Sequence, residues 1–90
     1  MPLYFFHLRD GTDTLIDEEG EVLPGIEEAR ASALATARNI ISHDALKGRI
    51  DLAQRLDVID QAGRFVCSIG FAEAVEVVSG RSEPGPSLRE

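Results

Sequence analysis

The segment from Leu3 to Asp10 constrains this chain most, because as a β-strand it would be apolar on both faces. Its aromatic residues favour a strand, and Asp10-Gly11 supplies a turn at its end. Strand side chains alternate, which gives two sets: Tyr4, Phe6 and Leu8 on one face, and Leu3, Phe5 and His7 on the other. A single covering layer would leave the second set exposed. We therefore expect the chain's own helix on one face and a partner on the other.

The length and composition indicate one folded domain. A chain of 90 residues has a thin core, yet a hydrophobic content of 43% is too high for wholesale disorder. Residues 79–90 collect glycine, proline and serine among charged residues, and we predict that they form a disordered tail. The domain is therefore predicted to span residues 1–78.

The order of the predicted elements gives an α+β fold. Strands are predicted at Leu3–Arg9, Thr14–Asp17, Arg55–Asp60 and Arg64–Gly70, with a brief extended piece at Val22–Leu23. Apolar residues at three- and four-residue spacing predict a long, alanine-rich helix from Ile26 to Ala45. A short helical turn followed by an extended end is predicted from Phe71. The result is a two-layer β-β-α-β-β fold, an antiparallel four-stranded sheet with one long helix on one face.

The second hairpin is predicted to turn at Gln61-Ala62-Gly63, with Gly63 in the left-handed conformation. This turn would pair Asp60 with Arg64, Ile59 with Phe65, and Val58 with Val66. Cys67 then lies in the middle of the last strand, with no cation immediately beside it in sequence. We expect it to be a small buried hydrophobic residue and not a reactive thiol.

The net charge of −7 is concentrated in the first third of the chain, where residues 1–30 include eight acidic and two basic residues. Nucleic-acid binding relies on lysine and arginine to neutralise phosphates, so this balance argues against DNA or RNA as a partner. No run approaches the roughly 18 apolar residues of a membrane span, and the N-terminus lacks the apolar region of a secretory signal. We expect a cytoplasmic protein that does not bind membranes.

The acidic segment from Asp10 to Glu21 suggests a divalent-cation site, because hard cations bind converging carboxylates. Read as a calcium loop, however, it has Leu15 where the sharp turn requires glycine. A hairpin would also separate these carboxylates in space. We therefore predict a solvated acidic hairpin, with no metal ion and no cofactor.

His7 is the best candidate for acid–base chemistry near neutral pH. Strand alternation places it on the opposite face from Asp10, so the two meet only if the turn brings Asp10 back. A metal-dependent or acid–base enzyme that uses His7 with Asp10 or Asp17 is one hypothesis. We favour a structural role, in which His7 lies at the edge of an interaction surface formed with Leu3 and Phe5.

Several short patterns together resemble one known family. They are Y-F-F-H-L-R-D-G at residues 4–11, D-E-E-G at 17–20, Leu23-Pro24, E-A-R-A at 28–31 and D-Q-A-G-R at 60–64. In combination they resemble a family of short bacterial proteins catalogued only as a domain of unknown function, and the similarity runs from about residue 2 to residue 78. The resemblance implies a small α+β domain and no activity that can be assigned to named residues.

The sequence as a whole predicts a small non-enzymatic binding or regulatory module. We expect it to act as a homodimer, or with another protein, through the sheet face that carries Leu3, Phe5 and His7. Two alternatives stay open. One is the enzyme that uses His7, and the other is an antitoxin-like partner of a basic protein, which the acidic first third of the chain would suit.

Overall fold

The structure, a computed structural model of the chain, describes residues 1–78. The predicted disordered tail, residues 79–90, lies outside the described residues. The elements in chain order are β1 (Leu3–Asp10), β2 (Asp13–Leu15), β3 (Glu21–Val22), α1 (Ile26–Leu46), β4 (Arg55–Asp60), β5 (Phe65–Gly70) and α2 (Phe71–Ala74). The described part of the chain is thus an α+β fold with one long helix between two hairpins, as predicted.

The strands form one antiparallel sheet in the order β2-β1-β4-β5. The outer edge of β1 is shared, because β2 pairs with its second half and β3 pairs with Leu3 and Tyr4. The extended piece predicted at Val22–Leu23 lies one residue earlier, at Glu21–Val22, and is a fifth strand of the same sheet. The predicted second strand, Thr14–Asp17, is displaced: Asp10 pairs with Asp13 across a two-residue turn, and the strand ends at Leu15.

Helix α1 packs on one face of the sheet through small residues. Ala29, Ala33 and Ala37 are completely buried, and Ile41 extends the same stripe. The sheet residues beneath them include Tyr4, Phe6 and Leu8, the set that alternation in β1 assigned to a covered face. Tyr4, Leu56, Val58 and Ile69 are buried there, and Phe6 and Leu8 pack against them. Alanine lets the helix axis approach closely, so the sheet residues supply most of the buried apolar surface.

The hairpin of β4 and β5 confirms two of the three predicted pairs. Ile59 lies opposite Phe65, and the amide of Asp60 donates to the carbonyl of Arg64 at 2.9 Å. The predicted pairing of Val58 with Val66 is wrong, because Val58 pairs with Cys67. A β-bulge at this point inserts one extra residue, which shifts the register by one. Cys67 is half-buried and packs against the core.

The last described element is the short helix α2, which begins directly after β5. Phe71 and Ala74 are buried against the same core, and Val75 beyond them has an extended backbone. This agrees with the predicted helical turn and extended end. Within residues 1–78, no helix is both long enough and apolar enough to cross a bilayer.

The alanine stripe gives a test of the packing between α1 and the sheet. Replacing Ala33 with leucine should lower the free energy of unfolding by about 1–3 kcal/mol, because the larger side chain has no space under the helix. Ala35 is exposed on the same helix and provides the matched control. Ala35→Leu should change stability by less than about 0.5 kcal/mol. Urea unfolding measures both, and equal effects would contradict the close packing.

Candidate functional site on the open face of the sheet

The face of the sheet opposite α1 has no covering layer among the described residues, and we call it the open face. Residues paired across antiparallel strands point to the same side, so the register defines its members. They are Val22 on β3, Thr14 on β2, Leu3, Phe5, His7 and Arg9 on β1, Arg55, Asp57 and Ile59 on β4, and Phe65 and Ser68 on β5. This set includes the three residues predicted to form an interaction surface.

One end of the open face is apolar, and we call Leu3, Phe5, Val22, Ile59 and Phe65 the apolar half. Cross-strand pairing places Val22 beside Leu3, and Phe5 beside Ile59, which in turn lies beside Phe65. Leu3, Phe5 and Ile59 are only half-buried. Phe65 is 63% exposed and Val22 is 54% exposed. These five neighbouring side chains form a continuous apolar surface in contact with water.

The other end is polar and is organised around Asp57, which is only 4% exposed although it lies on the open face. Two arginines cover its carboxylate. The Nε of Arg9 donates to Oδ2 at 2.8 Å, and the Nε of Arg55 donates to Oδ1 at 3.1 Å. A nitrogen of the Arg9 guanidinium also donates to the Thr14 hydroxyl at 3.1 Å. These residues, with His7 and Ser68, form the polar half.

The surroundings of Asp57 keep it ionised. Burial raises the pKa of this carboxyl, but hydrogen bonds from the Ser68 hydroxyl, Arg9 and Arg55 outweigh burial and lower its pKa below the ordinary value. A buried charge is tolerated only when it is paired and hydrogen-bonded. The carboxylate of Asp57 therefore fixes both guanidinium groups on the open face.

Asp17 anchors the loop that crosses from β2 to β3 along the outer edge of β1. Its carboxylate accepts hydrogen bonds from the amides of Phe6 at 3.0 Å, Gly20 at 3.1 Å and Glu19 at 3.2 Å. The amide of Phe6 lies where neither β2 nor β3 pairs with β1. The carboxylate of Asp17 thus supplies the acceptor that a paired strand would otherwise give to the Phe6 amide.

The structure brings His7 to Asp17 by a contact that is not the predicted one. The amide of Asp17 donates to Nδ1 of His7 at 3.1 Å, so a neutral His7 ring carries its proton on Nε2. The carboxylate of Asp17 is directed to the three amides. Asp10 lies at the end of the first hairpin, paired with Asp13. His7 therefore positions the loop, and its ring lies 6.4 Å from that of Phe5.

Gly20 closes the same loop against β1. Its φ of +74° belongs to the left-handed region, and a Cβ added there would lie 2.9 Å from both Cε1 of Phe5 and the carbonyl oxygen of Tyr4. Any larger residue would push the loop away from the strand. The D-E-E-G pattern therefore has a structural explanation, in which Asp17 caps the amides and Gly20 permits the contact with Phe5.

The described part of the chain has two cavities of similar size and no cluster of metal-ligating side chains. No group of three His, Cys, Asp or Glu side chains within residues 1–78 could hold a metal ion. One cavity of about 350 Å³ between α1 and the first hairpin is lined mainly by apolar residues, among them Phe6, Leu15 and Ile40. A second of about 350 Å³ is lined by charged residues near the end of α1. His7 lines neither.

The arginine–aspartate cluster is the part of the site that sequence reasoning missed. Arg55 and Asp57 stand two residues apart on one strand, which places them on one face of it. An aspartate between two apolar residues of a predicted strand is unusual. It was the one feature of the sequence that indicated a polar cluster here. The partner strand was not known from the sequence, so Arg9 could not be placed beside them.

A family model described as "Domain of unknown function (DUF6894)" matches residues 3–72. The chain belongs to this family. The match confirms the predicted family resemblance, and it includes every residue of the open face. Comparisons with curated proteins and with solved structures gave no significant match.

Gly20 and Gly63 allow a test of the loop contact. Both have positive φ, but a Cβ at Gly63 would meet no atom within 4 Å. Gly63→Ala should therefore cost only the backbone strain of about 1–2 kcal/mol. Gly20→Ala should cost clearly more, because Phe5 and the β1 backbone must also move. Thermal and urea unfolding compare the two variants, and equal losses would contradict the role assigned to Gly20.

Asp17 gives a test by pH. Burial raises the pKa of Asp17, but hydrogen bonds from the amides of Phe6, Gly20 and Glu19 together lower it below its ordinary value. A carboxyl with a lowered folded-state pKa stabilises the fold above its unfolded pKa of about 4, and this contribution is lost as the pH falls through the folded-state pKa. Asp17→Asn should cost about 1–3 kcal/mol near neutral pH.

The stability difference between Asp17→Asn and the wild type should disappear in acid, because the wild-type carboxyl is protonated there. Glu18→Gln is the control, since Glu18 is an exposed carboxylate in the same loop. Its effect should stay within about 0.5 kcal/mol. Urea unfolding across the acid range measures these differences. A deficit in Asp17→Asn that does not change with pH would show that its charge is not what stabilises the loop.

Proposed function

We propose that this protein is a non-enzymatic binding module that forms a homodimer through the apolar half of the open face. The observation that carries the proposal is the exposed position of Phe65 and Val22 beside three half-buried apolar residues. Contiguous exposed apolar surface, rimmed by polar groups, is typical of interaction sites. The helix occupies the opposite face of the sheet, so the described residues supply no cover for this one.

The charge distribution supports a second copy of the chain as the partner. Each chain carries a net charge of −7, so two copies repel one another at most approaches. The open face, as defined from the described residues, carries one carboxylate and two arginines. Contact between two open faces would therefore keep most carboxylates of both chains away from the interface. The same surface on both subunits is also what a twofold dimer requires.

The two alternatives from the sequence draw less support from the geometry. Acid–base catalysis would require His7 to face a space that a substrate can enter, and its Nδ1 instead accepts the amide of Asp17. For a basic partner, the acidic residues of the first third would have to form one surface. They are spread over the hairpin, the loop, β3 and the first turn of α1. Glu21 on β3 accepts a hydrogen bond from the Ser32 hydroxyl at 2.7 Å.

Phe65 and Ile26 give a matched pair for testing the dimer. They are 63% and 60% exposed, but Phe65 lies on the open face and Ile26 begins α1. Phe65→Glu should abolish the dimer, since it places a charge in the apolar half. Ile26→Glu adds the same charge elsewhere and should leave the dimer intact.

Light scattering coupled to size-exclusion chromatography, over a range of concentrations, measures the mass of each variant. Circular dichroism confirms that both variants are folded. A wild-type chain that stays a monomer at every concentration would overturn the proposal. So would a Phe65→Glu variant that dimerises as well as the wild type.

A further inference from the structure

The polar half of the open face holds two positive charges in contact with a single negative one. Arg9 and Arg55 lie directly opposite one another on β1 and β4. Like charges opposite one another in a sheet are unfavourable unless something neutralises them. Asp57 supplies one negative charge to both guanidinium groups. The cluster therefore keeps a net charge of +1 on a chain whose total is −7.

The carboxylate of Asp57 is buried, whereas the two arginines keep free hydrogen-bond donors. It accepts from Arg9 and Arg55, and Ser68 lies opposite Asp57 on β5. Each guanidinium has five N–H donors. In the hydrogen bonds of the described residues, Arg55 uses its Nε and leaves both terminal nitrogens without an acceptor. Arg9 uses Nε and one terminal nitrogen.

The free donors are held in place and remain accessible. The side chains of Arg9 and Arg55 are 43% and 51% exposed, while the carboxylate that orients them is buried. Gly70 lies opposite Arg55 on β5, so no side chain lies over Arg55 from that position. Because Asp57 fixes the Nε of each arginine, little side-chain freedom is lost when a ligand binds.

We infer that Arg9 and Arg55, held by Asp57, form a binding site for one oxyanion group, a carboxylate or a phosphate. Both anions present two oxygens that can accept a pair of parallel N–H bonds from a guanidinium group. One such group would neutralise the remaining charge of the cluster. The site does not depend on the dimer, because it lies in the polar half and the proposed interface lies in the apolar half.

The test is a titration of the full wild-type chain, followed by two-dimensional ¹H–¹⁵N NMR that includes the arginine Nε–H signals. Sodium phosphate and sodium acetate are the two probes. Each is added in place of sodium chloride, so that the ionic strength stays constant. Saturable shifts at residues 9, 55, 57 and 68 are expected. Saturation by phosphate alone assigns the site to phosphate groups, and saturation by acetate assigns it to carboxylates.

Arg55→Gln should weaken binding about tenfold or more, since it removes a charged hydrogen-bond donor. Arg64→Gln is the matched control. Arg64 is 81% exposed and contacts Asp60 at 3.6 Å on the same hairpin, away from the cluster. It should leave the affinity unchanged.

Shifts that stay linear with both anions would overturn the inference, and so would equal weakening by the two variants. If Arg55→Gln does not fold, the wild-type titration decides. The Nε–H signals of Arg9 and Arg55 should then saturate while that of Arg64 does not move, and their failure to do so would overturn it. A negative result leaves the dimer proposal standing, because that rests on Phe65.

Discussion

The pairing of β1 with β4 is the interaction on which the rest of the structure depends. Six residue pairs, from Tyr4–Asp60 to Arg9–Arg55, join strands that are separated along the chain by β2, β3 and α1. This register places Tyr4 and Val58 under the helix. It also fixes the order of residues on the open face, because a shift of one residue would exchange the two faces of β1. The core and the candidate site are thus two consequences of one register.

The loop between β2 and β3 satisfies a backbone amide on the outer edge of β1 that neither neighbouring strand pairs with. An unpaired amide at the edge of a sheet is costly if it is buried and invites pairing with another chain if it is exposed. β2 and β3 leave the amide of Phe6 between them, and the carboxylate of Asp17 takes the place of a backbone acceptor. His7 accepts the amide of Asp17 and so holds the loop from the open face. The histidine that suggested catalysis has a demonstrated structural contact.

The sequence predicted the elements and the fold well because those depend on local patterns. Alternation in β1 identified which side chains lie under the helix, and alanine spacing identified the stripe of α1. The register of β4 with β5 was predicted near the turn, where Gly63 fixes the geometry, and failed at Val58. The position of a β-bulge depends on both the turn geometry and the packing of the strands, so it cannot be predicted from a local sequence pattern. The Arg9–Asp57 contact could not be predicted, since it joins residues 48 positions apart.

The division of the open face into two halves follows from how each half meets water. In the polar half, Arg9 and Arg55 bond to Asp57 through their Nε atoms and keep other N–H donors exposed to water, so this half is stable when exposed. In the apolar half, the side chains of Phe65 and Val22 are exposed to water. Covering them is favourable by roughly 25 cal/mol per Å² of apolar surface removed from water. Association with a partner is therefore most favourable when the partner covers the apolar half. Leaving the arginines at the edge of the interface avoids the cost of removing them from water, and their charge can still orient the partner.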